Sequence, residues 1–198
     1  MKIIRKASAT RKTKETDIKI TMNLDGSGIA KIDTGIGILD HLISQISKHG
    51  LIDIDLTTKG DLETGFHHTV EDTGALLGST LKKCIGDGIG INRMSNVIIP
   101  LDETLVLVAI DISGRGYATI DLALSDFKIN NLEGDLIRHF LEKFATSASI
   151  CLHVRILSGI NEHHQAEAAF KGLGKALKTA LEIDPRQKNI PSTKGKLL

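Results

Sequence analysis

The segment at residues 66–78 reads FHHTVEDTGALLG, and the segment at residues 162–173, EHHQAEAAFKGL, repeats its H-H-x-x-E pattern 96 residues later. Further matches follow in the same order, as expected for an internal repeat. We therefore predict one structural domain made of a duplicated unit, with a first half at residues 1–92 and a second half at residues 93–198. The other matched positions are Glu15-Thr16 with Glu103-Thr104, Gly26 and Gly28 with Gly114 and Gly116, Asp33 with Asp121, and His41 with His139.

Hydrophobic periodicity predicts the same order of elements in both halves, namely strand, strand, helix, strand and helix. Alternating apolar residues at 18–24 indicate a strand, and the turn at Asp25-Gly26 predicts that residues 29–33 pair with it as a hairpin. The second half carries ten additional residues, which we place in the polar stretch at 125–135. Each half is thus predicted to be a mostly antiparallel sheet with two helices on one face, in an α+β fold whose halves pack by pseudo-twofold symmetry.

The composition is typical of a soluble globular protein, and the cysteines and apolar runs described below lead us to expect a cytoplasmic one. The formal net charge is +1, so no strong field is available to bind nucleic acid, and any anion site must be local. The longest apolar runs are too short to cross a bilayer, so no membrane partner is expected. Cys84 and Cys151 lie in apolar stretches, which predicts unpaired thiols in a reducing compartment.

Six of the eight histidines occupy equivalent positions in the two halves. A histidine kept only for packing has no reason to recur with a glutamate at fixed spacing, so we interpret these six as metal ligands. His49 and His153 fall outside the repeat and are interpreted as structural. The six candidate ligands are His41, His67, His68, His139, His163 and His164.

The H-H-x-x-E spacing also predicts how the ligands divide between ions. Residues i and i+4 share one face of a helix, so His67 with Glu71, and His163 with Glu167, can each hold one metal. Side chains that are adjacent in sequence diverge by about 100° around a helix, so His68 and His164 must reach a different ion. Two linked ions follow, each with three imidazoles and one carboxylate once His41 and His139 are added. Such ligands suit Mn, Fe, Co, Ni or Zn rather than Mg or Ca.

Six motifs, spread over nearly the whole chain, resemble those of the imidazoleglycerol-phosphate dehydratase family. The resemblance implies a 24-subunit shell built from trimers, with active sites between subunits and two Mn²⁺ ions in each. The motifs are DTGIGILDHL at 33–42, FHHTVEDTGALLG at 66–78, PLDE at 100–103, DISGRG at 111–116, EHHQAEAAFKGL at 162–173 and IPSTKG at 190–195.

The resemblance also implies roles for single residues. One ion would be held by His41, His67 and Glu71 together with His164 of a neighbouring subunit. The other would be held by His139, His163 and Glu167 with His68. Glu15 would contact the diol region of the substrate as an acid or base. The residues implied to bind the substrate phosphate are Gln45, Arg93, Arg115, Lys171, Ser192 and Lys194.

The reaction implied by the resemblance is the dehydration of D-erythro-imidazole-glycerol phosphate to imidazole-acetol phosphate in histidine biosynthesis. Our hypothesis is that two manganese ions hold the substrate ring as an imidazolate, whose electrons expel hydroxide to give a diazafulvene. Glu15 or Glu167 would then remove the neighbouring proton. Two alternatives remain open: a di-metal phosphoester hydrolase, and a non-catalytic assembly in which the ions only hold subunits together.

Overall fold

A computed structural model describes residues 5–122 and 128–197, which form two sheets of four strands, four long helices and a short hairpin. Residues 125–127 of the predicted insertion lie outside the described ranges. The strands are β1 (Lys6–Lys12), β2 (Thr16–Asn23), β3 (Ala30–Asp33), β4 (Asp53–Gly60), β5 (Met94–Leu101), β6 (Thr104–Asp111), β7 (Tyr117–Asp121), β8 (Lys128–Ile129), β9 (Leu132–Glu133) and β10 (Cys151–Ser158). The helices are α1 (Gly37–Gly50), α2 (His67–Ile85), α3 (Gly134–Ala148) and α4 (Glu162–Leu181).

The two large sheets have the same topology, with strand orders β1-β2-β4-β3 and β5-β6-β10-β7. The predicted hairpin between β2 and β3 is wrong, because β4 lies between these two strands and pairs with β3 in parallel. The chain makes this parallel pair by crossing through α1, as parallel neighbours require a crossover. The division proposed after residue 92 falls in the connection between α2 and β5.

Strands β1 and β5 were not predicted, and their burial explains why. Ala9 is the buried residue of β1, and Ile99 is that of β5. Each of these strands lies at the edge of its sheet, so neither has the continuous alternation that marks a half-buried strand. The short β8–β9 hairpin was also missed; Asn130 in its turn has φ 55°, a conformation that Asn tolerates better than most residues.

The four helices lie between the two sheets and carry the contact between the halves. Helix α2 packs on β1 and β2, while α4 packs on β5 and β6. Between the halves, α2 packs against α3 and α1 packs against α4. Because α1 corresponds to α3 and α2 to α4 in the repeat, a twofold rotation exchanges these two contacts. The predicted α+β fold with pseudo-twofold packing is confirmed.

Two equivalent glycines allow the helix pairs to approach closely. A Cβ on Gly78 of α2 would lie 2.3 Å from the carbonyl oxygen of Phe144 in α3. A Cβ on Gly174 of α4 would lie 2.8 Å from the carbonyl oxygen of Ile46 in α1. Both distances are shorter than van der Waals contact, and both neighbouring atoms belong to backbone, so the helices would have to move apart.

Replacing Gly78 with alanine should therefore lower the free energy of unfolding by about 1–3 kcal/mol, the usual cost of overpacking a core. Gly37→Ala is the matched control, because Gly37 is an exposed helical glycine whose added Cβ meets nothing within 4 Å. That change should be neutral or slightly stabilising. Thermal and urea unfolding measure both variants, and an undiminished midpoint for Gly78→Ala would contradict the close-approach argument.

Candidate metal centre

The first group of potential ligands joins the N-terminal end of α2 to α3, and we call it the α2–α3 group: His67, Glu71 and His139. One potential ligand atom from each residue lies within 4.8 Å of the other two. His67 and Glu71 are one helical turn apart, with 3.1 Å between Nε2 and Oε2. His139 reaches the same carboxylate oxygen from α3, with its Nε2 3.4 Å away.

The second group repeats this arrangement between α4 and α1, and we call it the α1–α4 group: His41, His163 and Glu167. The Nε2 atoms of His163 and His41 each lie 3.1 Å from Oε2 of Glu167. The position of His41 is fixed locally, because Asp40 accepts hydrogen bonds from the backbone and the hydroxyl of Thr34 and so holds the start of α1. The two groups are therefore equivalent under the repeat.

The structure corrects the grouping of His41 and His139 that the family resemblance implied. His41 lies with His163 and Glu167, whereas His139 lies with His67 and Glu71. The physical reason is that each packed helix pair combines one helix from the first half with one from the second. Since α1 packs on α4 and α3 packs on α2, each half places its single histidine beside the H-H-x-x-E motif of the other half.

The geometry of both groups fits a transition-metal ion. Bonds of about 2.1 Å at right angles put neighbouring ligand atoms about 3.0 Å apart, close to the separations found here. The Nε2 atom of His139 is buried, and its 3.4 Å contact with Oε2 of Glu71 lacks hydrogen-bond geometry, so among the described residues this nitrogen has no hydrogen-bond partner. A buried nitrogen without a partner is costly unless it meets a partner such as a metal ion. The residues present are therefore compatible with a divalent metal.

A lysine binds the second oxygen of each glutamate. Nζ of Lys143 lies 2.7 Å from Oε1 of Glu71, and Nζ of Lys171 lies 2.7 Å from Oε1 of Glu167. The hydrogen bond from Lys143 is the main cause that lowers the pKa of Glu71 to about 2. Burial raises the pKa of Glu167, but Lys171 and His41 together outweigh it and hold the pKa at about 2. Both carboxylates therefore remain ionised at neutral pH and are weak proton acceptors.

His68 and His164 belong to neither group, and their rings stand nearly perpendicular to those of the preceding histidines. The interplanar angles are 89° for the first pair and 83° for the second. Nδ1 of His68 lies 3.0 Å from Oδ2 of Asp61, and Nδ1 of His164 lies 2.8 Å from Oε2 of Glu103. The helical argument had separated these two histidines from their neighbours, and the orientation of the rings agrees with it.

Glu15 lies in the turn before β2, beside His68. Its side chain is 52% exposed, and one carboxylate oxygen is 3.9 Å from Nε2 of His68. Within residues 5–122 and 128–197, this carboxylate accepts no hydrogen bond. Glu15 thus has a carboxylate available beside an imidazole, unlike Glu167, whose oxygens contact histidine and lysine.

The residues predicted to bind the substrate phosphate lie in separate parts of the structure. Gln45 and Lys171 adjoin the α1–α4 group, with the Gln45 amide 3.4 Å from the His41 carbonyl oxygen. Arg93 forms a bidentate ion pair with Asp111 and donates a hydrogen bond to the Pro191 carbonyl oxygen, next to Ser192. No hydrogen bond or ion pair among the described residues connects these two places. Arg115 lies exposed in the turn between β6 and β7, and Lys194 donates its backbone N–H to the Ser192 hydroxyl.

Three residues near the metal groups were not predicted as site residues, namely Asp61, Glu103 and Lys143. A signal existed for Lys143, which follows His139 by one helical turn. The two histidines interpreted as structural, His49 and His153, join neither group. Both cysteines are free, and no helix of the described residues is long and apolar enough to cross a bilayer.

The fold and the two groups together define a class of protein: a duplicated α+β domain able to hold divalent metal ions with imidazole and carboxylate ligands. The family model described as imidazoleglycerol-phosphate dehydratase matches residues 34–177. The chain belongs to this family, whose members are hydro-lyases.

Relatives match over nearly their full length. An imidazoleglycerol-phosphate dehydratase of Dinoroseobacter shibae is 49% identical, covering 98% of this chain and 100% of that protein. One from Caldanaerobacter subterraneus is 50% identical, covering 97% and 99%. The crystal structure of the Pyrococcus furiosus enzyme has a TM-score of 0.81 at 36% identity, covering 96% and 100%. That of the Staphylococcus aureus enzyme has a TM-score of 0.82 at 30% identity, covering 90% and 99%.

Proposed function

We propose that this chain removes water from D-erythro-imidazole-glycerol phosphate to give imidazole-acetol phosphate, a step of histidine biosynthesis, with the help of two Mn²⁺ ions in each active site. Membership of the dehydratase family supports the reaction. The observation that carries the metal proposal is the pair of equivalent groups, each with two imidazoles and one carboxylate around a common point.

The α2–α3 group and the α1–α4 group would each hold one ion. A fourth protein ligand for each would be His164 or His68 from a neighbouring copy of the chain, since neither histidine joins a group of its own chain. The ions would supply Lewis-acid stabilisation of the substrate ring as an anion, which favours loss of the hydroxyl on the attached carbon. Imidazole-rich ligands without thiolate are compatible with manganese.

Glu15 is the proposed proton-transfer group. Its carboxylate is exposed, accepts no hydrogen bond within the described ranges and lies near His68, one of the proposed metal ligands. It can take the proton from the carbon next to the one that loses hydroxide, and the resulting enol becomes the ketone product. Glu167, the other candidate, is a metal ligand bound to Lys171, and its pKa of about 2 makes it a weak base.

We propose that the substrate phosphate is bound by the six residues named from the family resemblance: Gln45, Arg93, Arg115, Lys171, Ser192 and Lys194. Arginine and lysine suit a phosphate dianion. Two observations support the proposal. Lys171 lies beside the α1–α4 group, and Arg93 holds the C-terminal segment that carries Ser192 and Lys194.

We further propose a 24-subunit shell of trimers in the cytoplasm, with active sites between subunits. The support from this chain is that the side chains of His68 and His164 are 40% and 27% exposed and lie outside its own ligand groups. Size-exclusion chromatography with light scattering, before and after chelation, measures the assembly.

Purified protein loaded with Mn²⁺ should convert imidazoleglycerol phosphate to an enolisable ketone, and the chelated protein should lose this activity. A phosphodiester offered as an alternative substrate should not be cleaved. Hydrolysis of that phosphodiester without ketone formation would support the hydrolase alternative. Metal-dependent assembly without either reaction would support a structural role of the ions.

A further inference from the structure

We propose that Asp61 and Glu103 are positioning residues, which fix His68 and His164 so that the Nε2 atom of each is available to a metal ion. This inference rests on the proposed function. It extends it by naming the carboxylates that orient the two histidines outside the ligand groups. A ligating histidine commonly donates its other ring N–H to a carboxylate, which sets both the tautomer and the direction of the ring.

The contact at His164 is held from several sides. Its Nδ1 lies 2.8 Å from Oε2 of Glu103, and the other oxygen of Glu103 accepts from the Thr104 hydroxyl at 2.9 Å and from the Asn161 backbone at 3.1 Å. Asn161 in turn caps α4 by accepting a hydrogen bond from the His164 backbone. Glu103 therefore fixes both the ring of His164 and the start of the helix that bears it.

The contact at His68 is equivalent in geometry but comes from another part of the chain. Nδ1 of His68 lies 3.3 Å and 3.0 Å from the two oxygens of Asp61, which precedes the short 3₁₀ turn Leu62–Thr64. With Nδ1 as the donor, Nε2 carries the free lone pair. His68 Nε2 and His164 Nε2 face exposed carboxylates at 3.9 Å and 3.8 Å, those of Glu15 and Asp102.

Equivalent glutamates in the two halves have different surroundings, and this difference supports separate roles for them. Glu15 and Glu103 are equivalent residues in the sequence, each followed by threonine. In the second half, Glu103 is the carboxylate on Nδ1 of the histidine. In the first half, Asp61 occupies that role, and the Glu15 carboxylate accepts no hydrogen bond among the described residues. Asp61 thus releases Glu15 from orienting a histidine and leaves its carboxylate available to the substrate.

The test measures Mn²⁺ binding to the intact assembly by equilibrium dialysis and metal analysis, without substrate. Glu103→Gln and Asp61→Asn should each weaken one of the two ions per chain by about 10–100-fold, the usual effect of losing an outer-shell carboxylate. Glu15→Gln, at the position equivalent to Glu103, should change the dissociation constant of either ion less than about twofold. Glu63→Gln, an exposed carboxylate in the turn after Asp61, is the matched control and should behave as the parent.

Gln at position 103 keeps an acceptor for the Asn161 backbone, so α4 should still begin correctly, and the melting temperature of the chelated protein checks this. Parent-like Mn²⁺ affinity in both Glu103→Gln and Asp61→Asn would overturn the inference. If Glu15→Gln weakened Mn²⁺ binding equally, the inference that Asp61 rather than Glu15 orients His68 would be overturned. These outcomes are separate from the proposed reaction, because a parent that binds two ions without dehydrating the substrate would refute only the proposed function.

Discussion

The His139→Ala variant is expected to lose one of the two Mn²⁺ ions that the proposed function assigns to each chain and to retain the other. His139 supplies one of the three ligands of the α2–α3 group, and its Nε2 is buried against Glu71. Loss of a direct ligand should exceed the 10–100-fold effect of losing an outer-shell partner, so the affected ion should dissociate at least about 100-fold more readily. Metal analysis after gel filtration measures the stoichiometry. His49→Ala is the matched control, since His49 lies outside both groups.

Double variants separate the observed grouping from the one implied by the family pattern. His139→Ala combined with His67→Ala should still retain one ion, because both changes fall in the α2–α3 group. His139→Ala combined with His41→Ala should retain none, because both groups lose a ligand. His41→Ala combined with His67→Ala should also retain none, because these residues lie in different groups. Retention of one ion by this variant would instead support the family pattern, which placed both histidines on the same ion.

Glu15→Gln is expected to lower kcat by about 10²–10⁴-fold, the contribution of a positioned acid or base. The amide is nearly isosteric with the carboxylate but cannot take a proton. Because Glu15 is not a member of either ligand group, the bound Mn²⁺ should remain at two per chain. Steady-state kinetics with imidazoleglycerol phosphate, together with metal analysis of the same sample, measure both quantities.

Glu63→Gln serves as the control for this experiment as well, because Glu63 is an exposed glutamate for which no catalytic role is proposed. Its kcat should match that of the parent. Full turnover by Glu15→Gln would show that Glu15 is not the proton-transfer group, and Glu167 would then be the remaining candidate. A rise in KM without a change in kcat would place Glu15 in substrate binding only.

Local spacing was sufficient to predict part of the metal centre. His67 with Glu71, and His163 with Glu167, follow from the four-residue period of a helix, and the structure finds each pair 3.1 Å apart. The assignment of His41 could not be obtained in this way. It depends on which helix packs against α1, and helix packing is decided by surfaces distant in sequence.

The sheets show the same limit. The apolar alternation of β2 predicted a strand correctly, whereas β1 at the sheet edge buries one residue and gave no such pattern. The pairing of β3 with β4 depends on the crossover through α1, which periodicity does not specify. The outer-shell carboxylates Asp61 and Glu103 were missed for a similar reason, because the residues that touch them are distant or at irregular spacing.

The exchange of helices between the halves has a consequence for how the protein could have arisen. Each ligand group takes two residues from one half and one from the other, so a single half could complete a group only by associating with a second copy of itself. Joining two copies in one polypeptide makes that association independent of concentration. Tandem fusion also allows equivalent positions in the two halves to diverge. Glu15 and Glu103 have different surroundings, and an assembly of two identical halves could not have produced this difference.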